Sequence, residues 1–277
     1  PDMVWCKGRS YTGVHGIMDD QRSGDNGFGF LRSESTDAEN NTDGRGNISS
    51  FTSDGFVLSA DSYQSFNYGT NTHVAWCWKE SATAGFDIVG YEGTGSNTTF
   101  SHSLSAVPRF YMVKNRESGH NWGAYHQKIV DISGNAGQRL IPNLTNAGYN
   151  DASYFHIAPT SSVFSVGYNV GTNTDDEDHI AYLFTEKQGY SKFDMHTGNG
   201  NANGTFIYTG FRPAWVMIKQ YSKAGEGWHI FDNKREGYNV DNDPLVANVN
   251  NAEGTSDMID LLSNGFKLRT DSEAVNE

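Results

Sequence analysis

Short apolar runs bounded by Pro and Lys recur along the chain and define its first predicted elements. The segments 1–7, 108–114 and 213–219 each begin with Pro, continue through five mostly apolar residues and end with Lys. Five residues is the length of a strand rather than of a helix. Because apolar residues occupy consecutive positions, we expect each run to be a strand covered on both faces.

The same segments belong to a longer internal repeat. They are spaced by about 107 and about 105 residues, and the residues that follow them also correspond. Pairs of residues four positions apart match after each apolar run, namely His15 with Asp19, Trp122 with His126, and Trp228 with Asp232. Farther along, the segment 73–80 (His-Val-Ala-Trp-Cys-Trp-Lys-Glu) matches the segment 179–186 (His-Ile-Ala-Tyr-Leu-Phe-Thr-Glu). We therefore predict three copies of one structural unit.

The three predicted copies differ in completeness. Copy one (1–85) lacks the opening Phe-Asp segment, copy two (86–190) has every part, and copy three (191–277) lacks the closing His-x-Ala-aromatic strand. One interpretation is that the chain is a window of a longer repeat array. The other is that copies one and three complete each other as one composite unit. The sequence leaves both interpretations open.

Turn residues separate the predicted strands. Asp54-Gly55 and Asn264-Gly265 favour two-residue hairpins of type I′, in which both central residues take positive φ. The segment 257–263 is compatible with a short helix, although its counterpart 47–53 has the pattern of a strand. Many short strands with frequent turns predict an all-β protein. We expect tandem antiparallel β-sandwich repeats of about 105 residues, similar to a jelly roll.

Charge and composition argue against several classes of function. The chain has 20 basic and 33 acidic residues, which give a net charge of −13. Such a balance opposes binding to a phosphate backbone or an anionic membrane, so we expect no nucleic-acid partner. No run of 18 consecutive apolar residues occurs, so we expect no membrane insertion. The nucleophile-elbow, zinc-protease and phosphate-loop motifs are also missing, which favours a protein that is not an enzyme.

Trp122, Trp228 and Asp232 are the candidate ligand-binding residues. The two tryptophans follow Gly-rich polar loops, and Asp232 lies four residues after Trp228. An exposed indole would offer a platform on which the apolar face of a sugar can stack. The alternative, which we favour, is that both indoles belong to the core, as is usual for Trp in a strand of a small sandwich.

The densest acidic cluster is a candidate metal site. Asp175, Asp176 and Asp178 lie next to His179 and could supply oxygen ligands to calcium. The EF-hand spacing is missing, and copy one has an uncharged segment, 67–72, at the corresponding place. A solvated loop is therefore the favoured interpretation, and no other cofactor is expected.

Lys7, Lys114 and Lys219 recur at the ends of the three apolar runs. One interpretation makes them ligand contacts. The other, which we favour, makes them strand-end charges paired with the recurring Glu80 and Glu186, since such ion pairs are common and weak.

The two cysteines occupy apolar positions of the repeat. Cys6 corresponds to Val113 and Ile218, and Cys77 corresponds to Leu183. Buried thiols acting as small apolar side chains are therefore the favoured interpretation. A Cys6–Cys77 disulfide is the alternative.

Several of these segments resemble a repeated domain of bacteriophage tail-fibre and appendage proteins. The resemblance covers essentially the whole chain and rests on 1–7, 54–56, 74–78, 208–219, 228–232 and 261–269. It implies a sandwich of the laminin-G or lectin type and a place in the virion. Copy two departs from the pattern at Ile141-Pro142 and Ser162-Val163.

The resemblance leads to a functional hypothesis. We expect a structural virion protein, in a tail fibre, an appendage or a decoration, that contacts other virion proteins and assembles as a homo-oligomer. Tandem weak sites would also let it bind host-surface glycans with useful avidity. The alternatives are a polysaccharide-degrading tailspike enzyme, which needs a pair of carboxylates in a groove, and a cellular surface adhesin.

Overall fold

Antiparallel strands make up almost all of the regular structure. The computed structural model describes residues 1–24, 27–40, 46–61, 65–129, 138–235, 239 and 243–277. Strands account for 36% of the chain and helices for 3%, which confirms the predicted all-β class with antiparallel sheets. The boundaries of the three copies stay a prediction, and the term copy is used below for the ranges defined above.

Strands follow one another in a similar order in each copy. Copy one contains β1 (Met3–Gly8), β2 (His15–Asp19), β3 (Ser23–Gly24), β4 (Gly27–Phe28), β5 (Ile48–Phe51), β6 (Phe56–Leu58) and β7 (His73–Trp78). Copy two contains β8 (Phe86–Glu92), β9 (Thr98–Ser101), β10 (Phe110–Asn115), β11 (Gly123–His126), β12 (Gln138–Arg139), β13 (Tyr149–Asn150), β14 (Val163–Val166), α1 (Val170–Asn173) and β15 (Asp178–Phe184). Copy three contains β16 (Phe206–Tyr208), β17 (Trp215–Lys219), β18 (Trp228–Asp232), β19 (Leu245–Val246), β20 (Ile259–Leu262), β21 (Gly265–Leu268) and α2 (Glu273–Asn276).

The three Pro-to-Lys runs form equivalent strands of three main sheets. The strand orders are β2-β1-β7, β11-β10-β15-β8 and β17-β18-β19. In the first sheet Trp5 lies opposite both Ile17 and Trp76, so β1 is central. In the second sheet β10 is central in the same way, between β11 and β15. In the third sheet β17 pairs only with β18 among the residues that the structure describes, so β17 is an edge strand there.

Each main sheet faces a smaller sheet of its own copy. These smaller sheets are β5-β6, β14-β9 and β16-β21-β20. A separate apolar cluster fills each copy: Val4, Cys6 and Phe30 belong to the first, Tyr111 and Phe164 to the second, and Val216, Ile218 and Phe266 to the third. The two-layer arrangement follows from the alternation of side chains along a strand, which turns every second residue towards the smaller sheet.

The remaining side chains of the main sheets meet in one central core. Trp5, Met112, Trp122, Ile180 and Ile230 belong to it, and Met217 packs against it. Met112 and Met217 thus pack on the same core from equivalent strand positions. Strands β1 and β10 are covered on both faces, by the central core and by their own copy, which explains why they are continuously apolar.

One open alternative is decided and one local prediction is wrong. The segment 257–263 contains strand β20, in agreement with the strand pattern of its counterpart 47–53 and not with a short helix, because Ile259 and Leu261 fill the apolar cluster of copy three. The hairpin turns differ from type I′. Neither Gly55 nor Gly265 has a positive φ, and β5 is joined to β6 by the four residues 52–55.

Candidate functional site

The recurring aromatic residues lie at junctions between copies. Trp122 of copy two donates from Nε1 to the Arg32 carbonyl of copy one over 2.8 Å. Trp228 of copy three donates to the Ile141 carbonyl of copy two over 3.2 Å. At the corresponding place His15 of copy one contacts the Val246 carbonyl of copy three over 3.2 Å. Each copy therefore contacts the next in a closed cycle of three.

This geometry does not suit the sugar platform. Trp122 is fully buried and Trp228 is 3% exposed, so neither indole presents a face to solvent. Both indole N–H groups are already bonded to protein carbonyls. The alternative that placed both side chains in the core agrees with these contacts.

The three recurring lysines also cross the junctions. Lys7 donates to the Asn251 carbonyl of copy three over 2.8 Å. Lys114 donates to the Thr36 carbonyl of copy one over 3.2 Å, and Lys219 approaches the Thr145 carbonyl of copy two at 3.5 Å. Burial is the main influence on these groups and lowers the pKa of each from 10.5 to about 8.

The predicted pairing of these lysines with Glu80 and Glu186 is wrong. The Glu80 carboxylate accepts from the Ile88 N–H, and the Glu186 carboxylate accepts from the Phe193 N–H. Both glutamates thus hold the start of the next copy rather than a lysine. Each ammonium group donates to backbone carbonyls in place of water, but burial still makes its charged form less favourable than in water.

Asp232 belongs to a buried charge network between copies three and one. Its Oδ2 accepts from Arg235 Nε at 2.7 Å and from Trp76 Nε1 at 2.9 Å. Arg235 also pairs with Glu253, which in turn pairs with Arg9. Burial works to raise the pKa of Asp232, but the Arg235 charge and these hydrogen bonds outweigh it and lower that pKa. Asp232 is 4% exposed, and its carboxylate is bonded within this network.

An equivalent network joins copies one and two. Asp19 Oδ2 accepts from Arg22 Nε at 2.7 Å and from the Tyr182 hydroxyl at 2.6 Å. Glu39 lies between Arg22 and Arg116, at 3.5 and 2.6 Å respectively. The sequence does carry a signal for these residues, since Asp and Arg recur three positions apart at 19 and 22 and at 232 and 235.

At the third junction, between copies two and three, the described residues form no such buried charge pair. His126 and Ile129 stand where the other copies have Asp and Arg. Burial lowers the pKa of His126 to about 4, so its ring is neutral at physiological pH. The ring Nδ1 accepts from the Lys128 N–H at 3.2 Å, which places the remaining proton on Nε2.

A cavity of about 680 Å³ opens at this third junction. Its lining includes the aromatic residues Trp76, Trp78, Phe184 and Trp215, together with Met217 and His126. The indole of Trp215 packs edge-on against those of Trp76 and Trp78, with centroids 6.4 and 5.6 Å apart. The cavity is therefore a mostly apolar, aromatic groove along the edge strand β17.

Comparison with known families assigns the chain as a whole. A model of a domain of unknown function, DUF7483, matches residues 1–277. The chain belongs to the DUF7483 family. Neither the curated proteins nor the solved structures gave a match. Among the described residues of this DUF7483 chain, no helix is long and apolar enough to cross a membrane.

The acidic cluster of this DUF7483 chain is spread over a turn. Asp176 occupies the turn with a φ of 57°, and Asp178 pairs with Arg116 at 3.3 Å. Glu177, between them, accepts from Asn115 and Ser118. Within the parts of the chain that the structure describes, no three His, Cys, Asp or Glu side chains form a group that could hold a metal ion. The carboxylates of Asp175, Asp176 and Asp178 therefore do not form one group of oxygen ligands in the described structure.

Both cysteines are free thiols, but only Cys6 is buried. The prediction that Cys77 is also buried is wrong. Its counterpart Leu183 packs in one cluster with Leu104 and Val89 of copy two. In the described part of the chain, Cys77 belongs to no such apolar cluster, and its side chain is exposed. Burial strongly raises the pKa of the Cys6 thiol, and the partial desolvation of Cys77 raises its pKa to a smaller extent.

Proposed function

We propose that the chain is a structural component of a bacteriophage particle, in a fibre, appendage or decoration, and not an enzyme. One observation carries the proposal: the polar residues that recur between copies are used to join the copies. Lys7, Lys114 and Lys219 bind carbonyls of a neighbouring copy, and Asp19 and Asp232 anchor buried networks between copies. Residues used in this way favour mechanical cohesion over chemistry on a substrate.

The surface charge is in keeping with this role. A net charge of −13 keeps a protein soluble when it is displayed at high local density. It also disfavours contact with nucleic acid inside the particle. The proposal places the chain on the outside of the virion, in contact with other virion proteins and in a homo-oligomer.

Fractionation of purified particles tests this proposal. Phage that encode the chain are banded on a density gradient, treated with high salt and probed with an antibody against the chain. Co-sedimentation of the chain with infectious particles, retained after the high-salt treatment, supports a virion role. Recovery only from the host envelope, or only from the soluble lysate, contradicts it and favours the adhesin or a non-virion role. Release of reducing ends from host polysaccharide by the purified chain would instead support the tailspike enzyme.

We propose the surface around Tyr149 as the place of a weak glycan contact. Tyr149 is 63% exposed, and the Arg139 guanidinium lies 5.7 Å from its ring centroid. The two residues border a cavity of about 290 Å³ with Asn146 and Ala224. An exposed ring beside hydrogen-bonding groups suits the apolar face and hydroxyls of a sugar.

A pair of matched variants tests the glycan contact. Tyr149→Ala removes the ring, and Tyr208→Ala removes an equally exposed ring on another surface. On a glycan array made with a multivalent display of the chain, we expect Tyr149→Ala to lose binding and Tyr208→Ala to keep it. Equal binding by both variants, or no binding by the parent chain, rules out this surface.

A further inference from the structure

The edge strand β17 differs from its two counterparts in what covers it. All residues of β1 and β10 are buried, and each of these strands has a closing strand beside it, β7 or β15. In β17 the residues Trp215, Met217 and Lys219 are only half-buried. Trp215 and Met217 pack against the central core, and all three residues line the 680 Å³ cavity.

The polar groups around this cavity are also incompletely bonded. Trp215 Nε1, Gln220 Oε1 and Asn233 Oδ1 are buried atoms that lack a hydrogen-bond partner in the described part of the chain, and all three residues line the cavity. The backbone repeats this pattern. Asp2 N–H donates to the Trp78 carbonyl and Arg109 N–H donates to the Phe184 carbonyl, whereas no described strand lies in the closing position beside the equivalent Ala214. Buried polar groups in native proteins are nearly always paired with protein or ordered water, so these three residues leave hydrogen-bonding capacity to be satisfied beside β17.

We infer that a partner segment of the closing-strand type binds in this cavity and adds a strand to β17. The segment is extended, runs antiparallel to β17 and has the His-aliphatic-Ala-aromatic pattern of β7 and β15. The register of the added strand against β17 follows from the two main sheets that contain a closing strand, β7 or β15. Tyr182 lies opposite Met112 and Ala181 opposite Val113, so the incoming aromatic residue lies opposite Met217 and the incoming Ala opposite Ile218. Main-chain hydrogen bonds would supply affinity, and the side-chain pockets would supply specificity.

The junction chemistry selects the incoming aromatic residue. We call the two junctions that contain a closing strand, β7 or β15, the closed junctions, and the third one the open junction. At the closed junctions the aromatic residue of the closing strand donates to a carboxylate, as Tyr182 does to Asp19 and Trp76 does to Asp232. At the open junction the corresponding group is His126, whose Nε2 carries a proton and has no partner among the described residues. A tyrosine hydroxyl can accept from that N–H, whereas an indole N–H can only donate. The occupant therefore carries Tyr at this position, as β15 does, and this inference does not depend on the phage role.

A synthetic peptide of residues 174–187 serves as the probe, because it contains the whole of β15. A fluorescein-labelled peptide is titrated with the purified chain and followed by anisotropy, with a scrambled peptide of the same composition as control. Hydrogen exchange read by mass spectrometry then locates the binding site. We expect saturable binding and slower exchange in 213–221, with no change in 108–115. No binding up to about 1 mM, or binding that leaves 213–221 unprotected, overturns the inference.

A cycle of variants tests the predicted contact with His126. Replacing Tyr182 by Phe in the peptide should weaken binding about fivefold, the value of one neutral hydrogen bond. In the His126→Phe chain the Tyr and Phe peptides should bind equally. A Met217→Asp chain should lose binding altogether, while Ile157→Asp, on a distant exposed residue, should not. Protection of 213–221 by self-association, detected by light scattering in the absence of peptide, would instead identify a second copy as the occupant and refute the proposal.

Discussion

Replacing Asp19 by Asn tests whether the buried charge network holds copies one and two together. Asp19 and Arg22 are fully buried, and Asp19 accepts from both Arg22 and the Tyr182 hydroxyl. The substitution leaves the Arg22 charge buried beside a neutral amide. Breaking a buried ion pair by removing one partner costs about 3–5 kcal/mol. For a chain of this size that corresponds to a fall in Tm of about 6–20 °C.

Two further variants isolate the buried charge as the cause. Asp37→Asn makes the same chemical change in the pair with Arg32, where the Asp37 side chain is 57% exposed, and should cost less than about 1 kcal/mol. The double variant Asp19→Asn/Arg22→Met removes the stranded charge and leaves Glu39 with Arg116 at 2.6 Å. We expect it to be more stable than Asp19→Asn alone by about 1–3 kcal/mol.

Circular dichroism during urea and thermal unfolding measures these three variants and the single variant Arg22→Met against the parent chain at pH 7. The free energies of unfolding form a double-variant cycle for Asp19 and Arg22. If the effects of the two single substitutions simply add, or if Asp37→Asn costs as much as Asp19→Asn, the buried pair is not what stabilises the junction. A normal stability for Asp19→Asn would refute the reasoning directly.

Three other predictions concern single side chains. Iodoacetamide should modify Cys77 in the native chain and Cys6 only after unfolding, as peptide mass spectrometry would show; equal labelling contradicts the burial difference. Trp122→Phe should lower the free energy of unfolding by about 1–3 kcal/mol because the Arg32 carbonyl loses its donor, and urea unfolding measures this loss. Between pH 8 and 10.5 the unfolded Lys114 keeps a proton that the folded chain releases, so this lysine makes stability rise with pH across that interval. Lys114→Met should reduce the rise by up to about 3 kcal/mol relative to the parent chain, and an unchanged slope would contradict the lowered pKa.

The strands were predictable because their chemistry is local. The apolar runs, the spacing of about 105 residues and the copy-to-copy match of the closing strands β7 and β15 all follow from neighbouring residues or internal comparison. The strand at 259–262 could have been assigned from its counterpart 48–51, since its own hydrophobic pattern is ambiguous. The turn type was not predictable from Asp-Gly alone, because loop length decides which residue needs positive φ.

The site was not predictable because its contacts join distant parts of the chain. Arg9 pairs with Glu253 across 244 positions, and Trp76 donates to Asp232 across 156. Sequence patterns identified Trp122, Trp228 and the three lysines as recurring, but not what each of them binds. Recurrence in every copy is expected both of a ligand site and of a junction between copies, and only the fold distinguishes the two.

The differences among the junctions agree with strand addition at the third one. Removing a carboxylate–guanidinium pair from water costs several kcal/mol of desolvation free energy for each ion. Such a pair is therefore suited to contacts that form once, during folding, as those of Asp19 and Asp232 do. His126 is neutral at physiological pH and Ile129 is apolar, so an incoming strand meets no such penalty at the open junction. Covering Trp215 and Met217 then removes apolar surface from water at a gain of about 25 cal/mol per Å². The loss of the charge pair in copy two therefore makes this junction suited to receive a strand after the rest of the chain has folded.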